Sequence, residues 1–238
     1  MYDVIKEKFA AIVRENGLES EKMVITAAAL STEEAIGNPE HRDYPLITGR
    51  ERMMQADFRG SVGQAFTDMY GNYDGTLADI LDMELKNNFR RAIFISSLNA
   101  VMRHMGLVDK TGHCKNDEPP KCSQEFVKYV SENYGNPKIA FVGFQPRMIQ
   151  TLSPLFEMRV TDLDEENIGK EKFGVLVQGP DKTVDNLNWC DLALVTGTTA
   201  TNNTIGQFLD FEPVVFYGVT IAGVGQLLGL NVYCYCGH

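Results

Sequence analysis

Short apolar runs without polar alternation, spaced by helical segments, set the tightest limit on how this chain can fold. Residues 138–142, 158–161, 174–177, 192–195, 213–217 and 232–233 form the series. A strand lacking a polar face is covered on both faces, which is the condition of a parallel sheet packed between helices. The β and α alternation over the second half therefore predicts a doubly wound parallel sheet of about five or six strands. Such sheets bind ligands beyond the carboxyl ends of their strands.

The first half has another grammar. Val4, Ile5, Phe9, Ile12 and Val13 recur at helical spacing over residues 1–16, and Gly17 supplies a stop. Residues 23–30 read as a strand, and a short acidic helix follows, capped by Ser31 or Thr32. Residues 52–58 and 61–66 flank Arg59-Gly60 as a hairpin. The segment 67–77 is too rich in Gly, Asn and Asp for a regular element. Thr76 can cap a helix, and Asn87 or Asn88 a long one running to Met105, apolar almost all round and stopped by Gly106. Helix and strands followed by helices suggest an α+β unit over 1–110, ahead of an α/β unit over 111–238. The charged, proline-broken stretch 109–120, DKTGHCKNDEPP, reads as the linker, with a helix resuming at 123–134.

At 238 residues and 44% hydrophobic content the chain can bury a sizeable core, in one large unit or two ordinary ones. Its formal net charge of -10 speaks against nucleic-acid or membrane-surface partners, which are met with clustered Lys and Arg. The amphipathic N-terminus lacks the apolar core of a signal peptide, and no stretch reaches the roughly 20 apolar residues of a membrane span. A cytoplasmic protein is the expectation, with monomer and homo-oligomer both open. Five cysteines, at 114, 122, 190, 234 and 236, are an odd number and argue for reduced thiols over a disulfide framework.

The densest polar constellation is the turn Thr196-Gly-Thr-Thr-Ala-Thr-Asn-Asn-Thr204. A helix beginning near Asn203 or Thr204 would leave free N–H groups facing the strand ends, a ready anion site. Thr196, Gly197, Thr198, Thr199, Asn202 and Thr204 are its candidate ligand contacts; an ordinary cap-rich turn is the plain alternative. Gly143-Phe-Gln145-Pro occupies the first βα turn, so Gly143 and Gln145 join the candidates. One glycine there is no G-x-G-x-x-G fingerprint, which counts against ordinary dinucleotide binding. Asp162 or Asp164 stands where an acid would hold ribose hydroxyls. Gln64, Thr67, Asp68 and Asn72 place amides, a hydroxyl and a carboxylate where a loop could close on a polar ligand. On an extended tail Cys234, Cys236 and His238 share one face, and with His113 they would make a tetrahedral metal set; inert thiols on an edge strand are the alternative. The tail residues suggest a metal ion as cofactor.

Taken together, GQAFTD, GNYDGTL, RAIFISSLNAVMRHMGL, HCKNDEPPKC, VTGTTATNNT and GVTIAGVGQLLGL resemble the "Putative heavy-metal chelation" family. The resemblance implies an enolase-N-terminal-like first domain and a Rossmann-like second one. The family turn is similar to T-G-[ST]-T-x-x-N-G-T, which maps Asn202 and Thr204 and puts Asn203 where glycine is usual. Asn tolerates positive φ, so the backbone can be kept. The family ending resembles F-C-P-Y-G; Cys234 and Gly237 match it, and Cys236 departs from it. Three functional expectations follow. The first is a cleft between the two units holding a small anionic or metal-chelating organic ligand, or a heavy metal. The second is an enzyme with a nucleotide-type cofactor, and the third a structural zinc protein.

Overall fold

One helix serves two sheets. The computed structural model describes residues 1–26 and 32–238. Its strands are β1 (Lys22–Thr26), β2 (Arg52–Phe58), β3 (Ser61–Thr67), β4 (Tyr73–Thr76), β5 (Ile139–Val142), β6 (Met158–Thr161), β7 (Glu171–Lys172), β8 (Val175–Gln178), β9 (Leu192–Thr196), β10 (Val214–Tyr217) and β11 (Val232–Tyr233). The first four form an antiparallel sheet in the order β3-β2-β1-β4. The others run β11-β10-β9-β5-β6-β8-β7, parallel except for the β7–β8 pair. From β8 to β11 this is the doubly wound order 3-2-1-4-5-6, whose direction of winding reverses between β5 and β9.

The non-alternating runs behave as a sheet buried on both sides should. Ile139, Phe141, Leu192, Leu194, Val215 and Tyr217 pack with Phe126 and Val130 of the helix Glu118–Tyr134. Their neighbours Ala140, Ala193, Val195 and Phe216 face a second core. That core also holds Ile5, Phe9, Met54, Phe58 and most of the helix Asn88–His104. This helix is buried continuously from Arg91 to Met102, because β2 and β3 cover one side and the parallel-sheet side covers the other. Asn87 caps it, its Oδ1 accepting from Arg90 N–H at 2.9 Å.

Several local expectations are met. Arg59 and Gly60 both have positive φ (51° and 81°), the tight turn that suits a right-twisted hairpin. Thr76 caps the helix Leu77–Asp82 in a capping box with Asp79. Of the strand expected at 23–30, residues 22–26 form β1; residues 27–30 and the cap candidate Ser31 lie outside the described residues. Others are corrected. Residues 73–76 are a strand, since β1 supplies the partner that the loop-like composition conceals. The helix expected from 123 begins at Glu118, because Pro119 and Pro120 sit in its first turn, where no intrahelical N–H is needed. Among the described residues no helix is long and apolar enough to cross a membrane.

The edge of β3 is closed by the central helix and by residues that follow it in the chain. Gln64 N–H donates to Thr111 O (2.9 Å) and Phe66 N–H to Thr220 Oγ1 (3.1 Å). The Gln64 carbonyl accepts from Asn99 Nδ2 (3.0 Å), and the Phe66 carbonyl from Thr201 Oγ1 (2.8 Å). An unpaired sheet edge is thereby covered, and the end of β3 is fixed against the carboxyl ends of the parallel strands.

Candidate functional site

A cavity of about 780 Å³ opens where β3 and its following residue Asp68 meet the carboxyl ends of β5, β6, β9 and β10. It lies at the winding reversal between β5 and β9. The backbone allows this approach only through glycine. At Gly143 (φ 92°) a Cβ would stand 2.6 Å from Thr196 Cγ2, and at Gly197 it would stand 2.8 Å from Ile221 N.

The Thr196–Thr204 turn is built differently from the expectation. Residues Thr198–Thr201 are themselves a short helix, and a 3₁₀ turn, Ile205–Gln207, replaces the helix expected from Asn203 or Thr204. Hydroxyl groups cause the difference. Thr198 N–H donates to Thr196 Oγ1 (3.3 Å), and the Thr199 hydroxyl donates to the Thr196 carbonyl (2.7 Å), so the turn tightens one step after Gly197. Asn203 has φ 59°, the conformation in which asparagine can stand for glycine. Thr196, Gly197, Thr198, Thr199, Asn202 and Thr204 all line the cavity. Asn88 Nδ2 reaches Asn202 Oδ1 at 3.4 Å and Asp68 Oδ1 at 2.6 Å, joining the turn to the first sheet.

Gly143 and Gln145 also line the cavity. Gln145 Oε1 accepts from Met148 N–H (2.7 Å) and caps the helix Pro146–Leu152. Asp68 lines it; Gln64, Thr67 and Asn72 do not. Gln64 lies behind the wall, with Oε1 accepting from His113 N–H at 2.6 Å, and Thr67 closes a local turn with Met69. Asp162 and Asp164 line the cavity as well, and the Asp162 oxygens accept from Phe144 N–H (2.6 Å) and Asp164 N–H (2.7 Å).

Composition gave no sign of the electrostatics. Glu51 lines the cavity, and burial, then Asp162, Asp164 and Asp68, push its carboxyl up to about 7. Burial likewise keeps Tyr217 neutral; its hydroxyl lies 3.0 and 3.1 Å from the Val142 and Gly143 carbonyls. His113, also on the wall, is pushed down to about 4 by burial. Its Nδ1 lies 2.6 Å from the Cys114 carbonyl, so that nitrogen carries the proton and Nε2 keeps a lone pair. Below its ordinary 6.5 the unfolded chain takes a proton that the folded chain refuses. Stability should therefore fall as pH drops from 6.5 to 4, and His113→Gln should flatten that part of a denaturation-midpoint profile. An unchanged slope would show that His113 does not cause it.

The tail does not run extended. It bends at Tyr235 and Cys236 because His238 exchanges backbone hydrogen bonds with Gly112 (2.7 and 2.8 Å). His238 Nε2 then contacts Glu118 Oε2 at 2.8 Å. Cys234 lines the cavity; Cys236 and His238 do not. Among the described residues no three His, Cys, Asp or Glu side chains converge as a metal-holding group.

Part of the chain matches a family model. Residues 126–224 match the model of the DUF364 family, "Putative heavy-metal chelation". The matched span covers β5 to β10 and leaves out both the first sheet and the tail cysteines. A DUF364 protein of unknown function from Pyrococcus horikoshii aligns over 94% of this chain and 78% of its own, at TM-score 0.55 and 16% identity. Another, from Desulfitobacterium hafniense DCB-2, aligns over 95% and 84%, at 0.54 and 15%. Likeness at that identity is one of fold. No curated protein matches.

Proposed function

We propose that the cavity binds a small metal-chelating organic molecule together with its cation, as a DUF364-type chelate-binding site. The observation that carries this reading is the make-up of the cavity wall: the carboxyl groups of Glu51, Asp68 and Asp164 together with the amide and hydroxyl groups of Asn202, Thr198 and Thr204. A buried carboxyl raised to about 7 by its burial and, beyond that, by three neighbouring carboxylates marks a place where added positive charge is favourable. A free organic anion would meet repulsion there. A chelate brings the cation inside its own donor shell, so the protein need not surround the metal. It has to supply only charge and outer-shell hydrogen bonds. The family description points the same way. In this reading Gln64 and Thr67 position the wall, and the two units meet across the ligand.

The test is calorimetric titration with ferric and cupric complexes of citrate and of a hydroxamate, beside the metal-free ligands. The native chain should prefer the complexes. Glu51→Gln and Asn202→Ala should each weaken binding about 10-fold or more, the scale of one lost charge-assisted hydrogen bond. Indifference to both substitutions would remove this wall from the site. Glu51→Gln also has a stability signature of known sign. Native Glu51 holds its proton in the folded state between its ordinary 4.5 and about 7, so its contribution is lost as pH rises through that window. The variant should gain on the order of 2 kcal/mol over native above pH 7 and nothing below 4.5.

A further inference from the structure

Four of the five cysteines gather around one wall of the cavity. Cys114, Cys122 and Cys234 line it. Cys236, carried back by the tail pairing with Gly112, packs on the core that contains Cys122, and the Cys122 thiol is a near neighbour of its own. Both lie outside the span that matches the family, and the family resemblance puts tyrosine where this chain has Cys236. The pair is thus a feature of this chain that the chelate-binding reading leaves unused.

Two thiols cannot complete the tetrahedral shell of zinc. They are a sufficient set for a soft d¹⁰ monovalent ion, since thiolates select Cu(I). We propose that Cys122 and Cys236 form a two-thiolate Cu(I) site beside the cavity. Binding forms two S–Cu bonds, breaks the two S–H bonds, and releases both protons to solvent, with no change of oxidation state. The product carries one net negative charge, and the Lys121 ammonium stands near enough to Cys236 to favour a thiolate there. A soft cation relieves the cost of placing a second thiolate beside the first. Cys114 and Cys234 line the cavity together with Cys122.

The experiment is anaerobic titration of the reduced full chain with Cu(I) held by a chromophoric competing chelator. The native protein should withdraw about one Cu(I) per chain and develop a thiolate-to-copper charge-transfer band in the near ultraviolet. Cys236→Ser should lower the affinity by more than the roughly 10–100-fold that losing an outer-shell partner costs. Cys122→Ser should do the same. Cys190→Ser is the control, because Cys190 lies apart from the cluster, on the Leu187 carbonyl at 3.5 Å. Cys236 is only half-buried on the tail, so its variant tests the proposal even if Cys122→Ser unfolds. Uptake by Cys236→Ser equal to native, loss confined to Cys114→Ser or Cys234→Ser, or no withdrawal from the competitor would each overturn it. None of these readouts depends on binding of an organic chelate, so this inference and the one above can fail separately.

Discussion

Replacing Asn99 with alanine should destabilise the protein by on the order of 3 kcal/mol and loosen the cavity at the same time. Asn99 is fully buried on the central helix. Its Nδ2 donates toward the carbonyls of Gln64 (3.0 Å), Val219 (3.2 Å) and Thr220 (3.3 Å), and its Oδ1 accepts from Gly223 N–H (2.8 Å). One side chain therefore satisfies backbone groups from the edge of β3 and from the segment after β10. Alanine would strand the Gly223 N–H and leave the carbonyls without their donor, and each buried orphan costs about 1–3 kcal/mol. Asn99→Asp keeps the volume and the acceptor yet turns a carboxylate toward three carbonyl oxygens, so it should be worse than alanine at neutral pH. Val219 and Thr220 line the cavity, and affinity for a metal chelate should fall alongside stability. Urea denaturation of both variants measures the first effect. A cost below about 1 kcal/mol for alanine would mean that the polar link does not hold the two sheets together.

Gly63→Ala should be comparably severe, through crowding. A Cβ built at Gly63 lies 2.2 Å from Ala100 N and Ser96 O and 2.8 Å from Asn99 C, all backbone atoms of the central helix. No side-chain rotation can relieve that. Either β3 or the helix must shift, and the hydrogen bonds along the β3 edge and the register with β2 resist both. The expected loss is about 3 kcal/mol, the upper end for overpacking. Gly206→Ala is the internal control, since nothing lies within 4 Å of its would-be Cβ, and it should stay within about 0.5 kcal/mol of native. Equal denaturation midpoints for the two variants would contradict the close packing of β3 on the helix.

The parts of this architecture visible in the sequence are those set by local chemistry. Apolar runs without alternation gave the parallel sheet, Arg59-Gly60 the hairpin turn, Thr76 and Asn87 the helix caps, and Asn203 its left-handed backbone. What stayed hidden depends on partners distant in the chain. β4 is a strand because β1 offers it hydrogen bonds. Several of the threonines that made the 196–204 turn look like a ligand grip hold the fold instead: Thr199 bonds its own turn, and Thr201 bonds β3 from 135 residues away. Glu51 has an ordinary sequence context, and only folding sets it among Asp68, Asp162 and Asp164. Asn99 sits in a run of apolar residues where its amide could have been recognised as needing buried partners. Naming those partners required the three-dimensional contacts.

The helix Asn88–His104 belongs to the first sheet by sequence and to both by packing. A cleft between two bodies that share a wall of core has no hinge. Swinging the sheets apart would expose the apolar side of that helix and strip the edge of β3 of its bonds to Thr111, Thr201 and Thr220. The segments Tyr44 to Glu51 and Thr161 to Asn167 contribute wall residues from outside the shared core. The frame between the sheets therefore stays closed while a ligand enters or leaves.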